Sequence, residues 1–379
     1  MAESRTAARR SESAAVGGEW PASALLMESP YEADDELYKL SLVRIVGLMD
    51  RLISTPFTAS STAAEVLQDV DLTGVRAIVT GASSGLGIET ARALTAAGAE
   101  VTIAVRNTTA GDAVAETIER STGGIRPRVA RLDLADRTSV TRFTDAWSGP
   151  LHLLINNAGV VTGGLERTRE GWELQFATNH LGHFALANRL HDALALGASD
   201  RDGARIVSVS STAHMRSGID FDDLHFERRG YDPQIAYAQS KTANSLFAVE
   251  ATRRWASDGI VANAVNPGGV ATGLQRNFTR EQKKSLDAAE AAGVFTYKTV
   301  EQGAATSIVA AVAPEFAHSG GHYLDDAQEA YTVPDDADLA QHPHGVKEWA
   351  LDPTTAKCLW TVSTDLLSGR AAGLAFENR

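Results

Sequence analysis

The sequence predicts an α/β protein: a single doubly wound domain, built on a parallel sheet of about seven strands, behind an N-terminal helical extension. Three observations lead there. Short apolar runs recur without polar alternation, as strands buried on both faces require. Segments of helical period separate these runs from Asp71 to Leu324. A glycine-rich turn, Gly81-x-x-x-Gly85-x-Gly87, joins the first apolar run to the first helix. The boundaries read as residues 1–56 for the extension, partly disordered with one amphipathic helix, and 57–379 for the domain.

Val75–Thr80 is the first strand and ends at the glycine turn. Leu86 to Ala97 reads as a helix with Gly98 at its C-cap. Val101–Val105 is the second strand, Ala110–Arg120 a helix and Arg128–Leu132 the third strand. Thr138–Trp147 is helical, Leu151–Ile155 is the fourth strand, and one long helical stretch runs around Trp172–Leu196. Arg205–Val209, the helix Ala236–Trp255 and Ile260–Val265 supply the fifth and sixth strands with their connection. Val300–Ala313 is a helix and His322–Leu324 the seventh strand. Two stretches interrupt the alternation, His214–Gln234 and Gly273–Thr299. Both follow carboxyl ends of strands, where open α/β sheets bind ligands. The first, with Asp220, Asp222 and Asp223, reads as solvated decoration shaping a pocket rim, and the second as a mobile lid.

The bulk composition narrows the partners. The net charge of −13 comes without a basic stripe, so nucleic acid is not an expected partner. A lone cysteine, Cys358, forms no internal disulfide and suits a reducing, cytoplasmic compartment. It reads as a small apolar residue near Leu359 and Trp360. His342 and His344 flank Pro343 without a CxxC or HExxH spacing, and no metal site is expected. Met1 to Gly18 is polar and lacks the apolar core of a secretory signal. Leu37–Ile53 is apolar but carries Lys39, Arg44, Asp50 and Arg51, too many charges to span a bilayer. Leu37, Leu40, Ile45, Leu48 and Leu52 recur near helical spacing, as in an amphipathic helix docked on the body or on a neighbouring subunit. A homo-oligomer is compatible with this reading, and membrane contact is not expected.

The glycine turn follows a strand and opens a helix, the context of a dinucleotide site. Gly81, Gly85 and Gly87 permit the turn, the backbone from Gly85 through Leu86 points the helix start at a pyrophosphate, and Ser83 and Ser84 offer hydroxyls. An NAD site usually places an acid at the end of the second strand, to accept from ribose hydroxyls. Here stands Val105-Arg106-Asn107, and Arg106 suits a 2′-phosphate instead. The expected cofactor is therefore NADP(H), with NAD(H) as the alternative. Asp133, followed by Leu134, is placed to accept from the adenine amino group; Asn157, Ala158 and Gly159 follow the fourth strand, where an amide bridges strand backbone and small residues leave room for ribose. Tyr237 and Lys241 lie four apart on one helix face, where a Tyr can exchange a proton and the Lys charge lowers its phenol pKa.

Together these pieces resemble a short-chain dehydrogenase/reductase of the Gly-x-x-x-Gly-x-Gly subgroup. The resemblance runs from about Phe57 to near the C-terminus. It is carried by Thr80–Gly87, Asn156–Gly159, Asn179, Ser210-Ser211, Tyr237 to Lys241 and Asn266-Pro267-Gly268-Gly269. Asn179-His180-Leu181-Gly182-His183-Phe184, Asn266–Thr272 and Leu359-Trp360 are similar to the retinol-dehydrogenase-like branch, which acts on lipophilic carbonyls. The resemblance implies a Rossmann fold and a small-molecule alcohol or carbonyl as substrate. It implies Tyr237 as general acid/base and Lys241 on the nicotinamide ribose. Ser211 then polarises the substrate oxygen, and Asn179 keeps a water on the proton path to Lys241. Pro267, Gly268 and Thr272 border the nicotinamide. His180 and His183, three apart on the long helix, read as packing or pocket-rim residues. Nucleotide-sugar epimerases and dehydratases share the Tyr–Lys pair, but usually with Gly-x-x-Gly-x-x-Gly and a larger C-terminal region. A non-catalytic dinucleotide-binding protein would not need Asn179, Ser211, Tyr237 and Lys241 together.

Overall fold

Buried apolar runs pair side by side into the sheet on which the rest is laid. The computed structural model describes residues 52–273, 280–291, 296–339 and 341–369. The helix expected over Leu37–Ile53 falls, but for its last two residues, outside them. The strands are β1 (Arg76–Thr80), β2 (Glu100–Val105), β3 (Arg128–Arg131), β4 (Leu153–Asn156), β5 (Ala204–Val209), β6 (Ile260–Asn266), β7 (Tyr323–Asp325) and β8 (Gln328–Glu329). They form one eight-stranded sheet in the order β3-β2-β1-β4-β5-β6-β7-β8. All pairs are parallel except the last, where β8 turns back along β7. The seven parallel strands match the expectation, and β8 adds a short antiparallel edge. The chain Ile53–Phe57 lies against that edge: Ile53 N donates to Glu329 Oε2 (2.8 Å) and Thr55 N to Gln328 Oε1 (2.8 Å). Glu329 N in turn donates to Ile53 O (3.2 Å), so the strap covers part of this edge. Two further strands, β9 (Thr332–Val333) and β10 (Val346–Lys347), pair in parallel on their own.

The helices are α1 (Ala63–Val66), α2 (Leu86–Ala96), α3 (Thr108–Thr122), α4 (Arg137–Asp145), α5 (Leu174–Phe176), α6 (Gly182–Arg189), α7 (His191–Asp200), α8 (Pro233–Trp255), α9 (Arg280–Ala291), α10 (Val300–Val312) and α11 (Pro353–Ser368). Their starts follow side-chain chemistry. Asn107 caps α3, Asp136 caps α4, and Asp232 with Pro233 opens α8. Thr299 and Gln302 form a capping box on α10. One core layer packs α1, α2 and α10 on one face of the sheet, through residues such as Leu94 and Ile308. The other packs α6, α7 and α8, through Phe184, Leu194 and Phe247.

Three features depart from the sequence reading. The long stretch Trp172–Leu196 is not one helix: a π turn, Ala177–Leu181, separates α5 from α6, and α7 follows Leu190. The His214–Gln234 insert is fastened rather than solvated. Asp223, 8% exposed, accepts backbone N–H bonds from Glu227 (2.6 Å), Arg228 (3.2 Å) and Arg229 (2.9 Å). Arg229 in turn pairs with Asp220 at 2.9 Å. The stretch expected as a lid, Gly273–Thr299, contains α9, and part of it lies outside the described residues. Its base is closed by Lys298 N donating to Gly269 O (2.8 Å).

The C-terminal helix α11 covers the outer face of α8. Trp360 meets Phe184 edge-on with ring centres 4.8 Å apart, meets Trp255 edge-on at 5.2 Å, and stacks on Phe247 at 6.0 Å. The guanidinium of Arg254 caps the indole at 4.7 Å. Cys358 beside it is half-buried against a third apolar cluster with Leu359 and Leu246, as its neighbours suggested. Trp360→Ala is expected to cost about 3–5 kcal/mol, because the surrounding rings cannot collapse into the space. A urea unfolding curve unshifted from wild type would contradict this packing.

Burial also makes stability depend on pH. It pushes His180 down to about 3, and His183, His214 and His225 down to about 4, from the ordinary 6.5. The unfolded chain takes up these protons as pH falls through 6.5, while the folded chain does not until about 4. The stabilisation is therefore complete above pH 6.5 and lost towards pH 4, at about 1.4 kcal/mol per pH unit for each proton taken up. Glu173 and Asp325, raised by burial, oppose only part of this. The melting temperature is expected to fall steadily from pH 7 to pH 4.5; a flat profile would refute the assignment of four neutral histidines, three buried and His225 half-buried.

Candidate active site

The strand order reverses between β1 and β4, the place beyond whose carboxyl ends open α/β sheets bind their ligands. The β1–β4 ladder ends at Val79↔Ile155. Past it, side chains hold the two strand ends together. Asn157 Nδ2 donates to Thr80 O (2.8 Å), while the N–H groups of Asn157 and Ala158 both donate to Thr80 Oγ1 (3.0 and 2.9 Å). Asn157 thus bridges strand backbone as expected.

The glycine turn sits directly on this bridge. Gly81 has φ +72° and Gly85 φ +59°, which favour glycine. A Cβ on Gly87 would lie 2.6 Å from Asn157 Nδ2 and 2.9 Å from Ala82 Cα. The turn is a cradle that side chains would fill, with the start of α2 opening from it, and it suits a pyrophosphate. Ser83 is half-buried and Ser84 exposed beside it, and Leu86 opens α2. Thr272 comes over the turn, its Cβ 3.5 Å from where a Cβ on Gly85 would stand. Pro267 is buried; Gly268, with φ +80°, is crossed by the Lys298 side chain, which pairs with Asp326.

Arg106, expected beside the ribose 2′ position, is exposed at the tip of β2. Arg131, also exposed and in register with Val105, donates from Nη1 to Arg106 O at 3.1 Å. The sequence reading missed this second guanidinium, whose signal was the strand pairing rather than any motif. Asp133 is half-buried and accepts from Ala135 N (3.2 Å), and Leu134 is buried beside it.

At the chemical end, Ser211 follows β5 in extended backbone and Tyr237 and Lys241 come from α8. Ser210 and Ser211 divide as strand alternation requires. Ser210 Oγ is buried on Lys241 O (2.8 Å), whereas the Ser211 hydroxyl on the side of Tyr237 pulls its phenol pKa down. Burial is the larger influence and pushes Tyr237 up to about 12. Lys241 does not produce the expected lowering. Its Nζ lies 5.5 Å from the Tyr237 ring centre and donates to Val209 O (2.8 Å), and desolvation holds it down to about 7.

Asn179 lies in the π turn, completely buried, where such irregular turns often mark functional positions. Its side chain clamps two loops. Oδ1 accepts from Val160 N (2.8 Å); Nδ2 donates to Val160 O (3.1 Å) and Ser240 Oγ (3.0 Å). A Cβ on Gly159 would lie 3.5 Å from Asn179 Oδ1 and 3.6 Å from Lys241 Nζ, so these three residues meet at one point. His180 and His183 are both buried and neither lies at a rim. His180 packs between Phe176 and Phe184 and bonds Ser363 Oγ (2.9 Å). His183 reaches Thr80 Oγ1 and Asn179 O, both at 2.9 Å.

Among the described residues, Asp325, Asp326 and His344 bring ligand atoms together, but the His344 ring is hydrogen-bonded to Asp325 and Lys298 pairs with Asp326. Among those residues, too, no helix is long and apolar enough to cross a membrane.

Comparison with known proteins agrees with this geometry. The family model described as short chain dehydrogenase matches residues 76–283. A "Probable oxidoreductase" of Streptomyces antibioticus is 48% identical over 303 residues, 79% of this chain and 99% of that protein. The polyprenol dehydrogenase of Homo sapiens is 40% identical over 265 residues, 68% of this chain and 78% of its own. Among solved structures, an uncharacterized protein from Mycobacterium paratuberculosis superimposes with a TM-score of 0.61 at 32% identity, covering 83% of this chain and 98% of that one. The chain belongs to the short-chain dehydrogenase/reductase family, close to its retinol-dehydrogenase-like branch, and is an oxidoreductase of alcohols and carbonyls that uses a nicotinamide dinucleotide.

Proposed function

We propose that this protein is an NADP(H)-preferring dehydrogenase or reductase for a lipophilic alcohol–carbonyl pair, with Tyr237 as general acid/base. The observation that carries the reading is the meeting of Ser211, Tyr237, Asn179 and Lys241 next to a glycine cradle at one strand-order reversal. When bound, the dinucleotide supplies or accepts the hydride. Gly81, Ser83, Ser84, Gly85, Leu86 and Gly87 hold its pyrophosphate, Asp133 and Leu134 border adenine, and Asn157, Ala158 and Gly159 border ribose. Pro267, Gly268 and Thr272 line the nicotinamide end. Ser211 donates to the substrate oxygen and Tyr237 gives it a proton. A phenol held protonated by burial is loaded for that step, since an alkoxide is a stronger base than a phenolate. Lys241, with a pKa near neutrality, is suited to return the proton from the side of Asn179 and Gly159. A long apolar substrate is favoured by the likeness to a polyprenol dehydrogenase. Residues 1–56 are read as an extension outside the chemistry, and the lone thiol suits the cytoplasm.

Tyr237→Phe is expected to abolish turnover while leaving cofactor binding intact, because the proton donor is lost and the pyrophosphate contacts remain. Retention of more than a tenth of wild-type turnover would show another acid at work.

Cofactor preference rests on charge. Arg106, with Arg131 bonded to its backbone, faces no acid at the end of β2. A charge-assisted bidentate contact to a 2′-phosphate contributes about 1.5–3 kcal/mol, or roughly one to two decades of affinity. NADPH is expected to bind more tightly than NADH, and Arg106→Ala to erase most of the difference. Nicotinamide fluorescence titrations giving equal affinities in wild type would remove the NADP(H) preference and leave the dehydrogenase reading standing.

A further inference from the structure

We propose that His183 is a positioning residue that ties the dinucleotide turn to the proton-handling helix; the proposal rests on the dinucleotide reading above. The two ring nitrogens reach opposite halves of the site. Nδ1 lies 2.9 Å from the backbone oxygen of Asn179, and Nε2 lies 2.9 Å from the hydroxyl of Thr80. A carbonyl oxygen can only accept, so Nδ1 carries the ring proton. Nε2 is then an acceptor and the Thr80 hydroxyl donates to it. That commits the hydroxyl proton and turns both Oγ1 lone pairs outwards. They are taken by the N–H groups of Asn157 (3.0 Å) and Ala158 (2.9 Å). The Thr80 hydroxyl points chiefly at the ring, with Ile155 O a longer second acceptor at 3.3 Å.

Each end of this chain belongs to a different part of the reaction. Thr80 immediately precedes Gly81, and Asn157 sits against Gly87 of the cradle. Asn179 holds Val160 and Ser240, and Ser240 neighbours Lys241 on α8. The ring is 3% exposed, so water does not replace either bond. Burial and the nearby Lys241 charge keep it neutral down to about pH 4, which preserves the acceptor at Nε2. Without the ring, the Thr80 hydroxyl has an alternative acceptor in Ile155 O at 3.3 Å, and the Asn179 carbonyl loses this partner. The cradle and the proton path then move independently.

The test separates the two ends by variants that each keep one. In His183→Gln the amide oxygen can reach Thr80, but the side-chain donor to Asn179 O is lost. In His183→Asn the amide N–H can reach Asn179 O, while the Thr80 hydroxyl is left with only the longer bond to Ile155 O. NADPH affinity by nicotinamide fluorescence, and kcat at saturating NADPH with a reducible carbonyl, are measured on the full chain. His183→Leu is expected to weaken NADPH binding about tenfold and to lower kcat at least tenfold. His183→Gln is expected to recover binding to within about threefold of wild type while kcat stays low, and His183→Asn to show the reverse. Should the Leu variant fail to fold, the Gln and Asn pair carries the test. A folded Leu variant with both constants within twofold of wild type would overturn the proposal. So would Gln and Asn variants that lose both properties together, in step with melting temperature. Wild type that binds neither NADPH nor NADH would instead overturn the dinucleotide reading itself, and the role of His183 with it.

Discussion

Two parallel strands that part company at a topological switch leave backbone groups without ladder partners, and the site depends on how this gap between β1 and β4 is filled. The ladder stops at Val79↔Ile155. One hydroxyl and one carboxamide then do the work of further ladder bonds, since Thr80 and Asn157 exchange three hydrogen bonds counting Ala158 N–H. Orphaned backbone N–H groups at this depth would each cost about 1–3 kcal/mol. Satisfying them with side chains leaves the crevice open beyond Gly81, whereas more ladder would have closed it. On the proposed reading, room for a dinucleotide follows from the way two strand ends meet their hydrogen-bonding demand.

Burial has a second consequence, in the chemistry. Taking Tyr237 and Lys241 out of water moves their pKa values in opposite directions, up to about 12 and down to about 7. Both shifts favour the neutral form, as desolvation dictates. The phenol therefore stays protonated but gives its proton up less readily than in water, while an ammonium of lowered pKa near it is the readier donor. Electrostatic help for phenolate formation has to come from positive charge brought into the pocket, not from Lys241 in this resting geometry. Within the protein, Ser211 pulls the phenol pKa down against this burial.

Much of this was legible in the sequence because its signals are local. The apolar run Val75–Thr80, the glycines that follow and the Tyr237–Lys241 spacing each report on a few neighbouring residues. The helix α11 was legible in principle too: Asp352-Pro353 opens it and Gly369 closes it, as such termini usually do. Other features have no local mark. The residues of the π turn have ordinary helical character, and the turn follows from how Asn179 is held by Val160 and Ser240. Thr80 and His183 are 103 positions apart, so their bond exists only in the fold. The direction of the Tyr237 shift was misread for the same reason. The spacing to Lys241 is visible in sequence, while the loss of water around the ring is not.

The helix α11 adds a constraint in time. A chain emerging from the ribosome completes β1 to β7 well before Pro353 appears, and α8 is then already in place on the sheet. Until Trp360 arrives, the Phe184, Phe247 and Trp255 rings present an uncovered apolar face to solvent. The strap from Ile53 to Phe57 waits as well, since its partners at Gln328 and Glu329 lie more than 270 residues downstream. Both places are sealed only by segments made later, and chains terminated before Pro353 would carry the sticky surfaces that chaperones and proteases recognise.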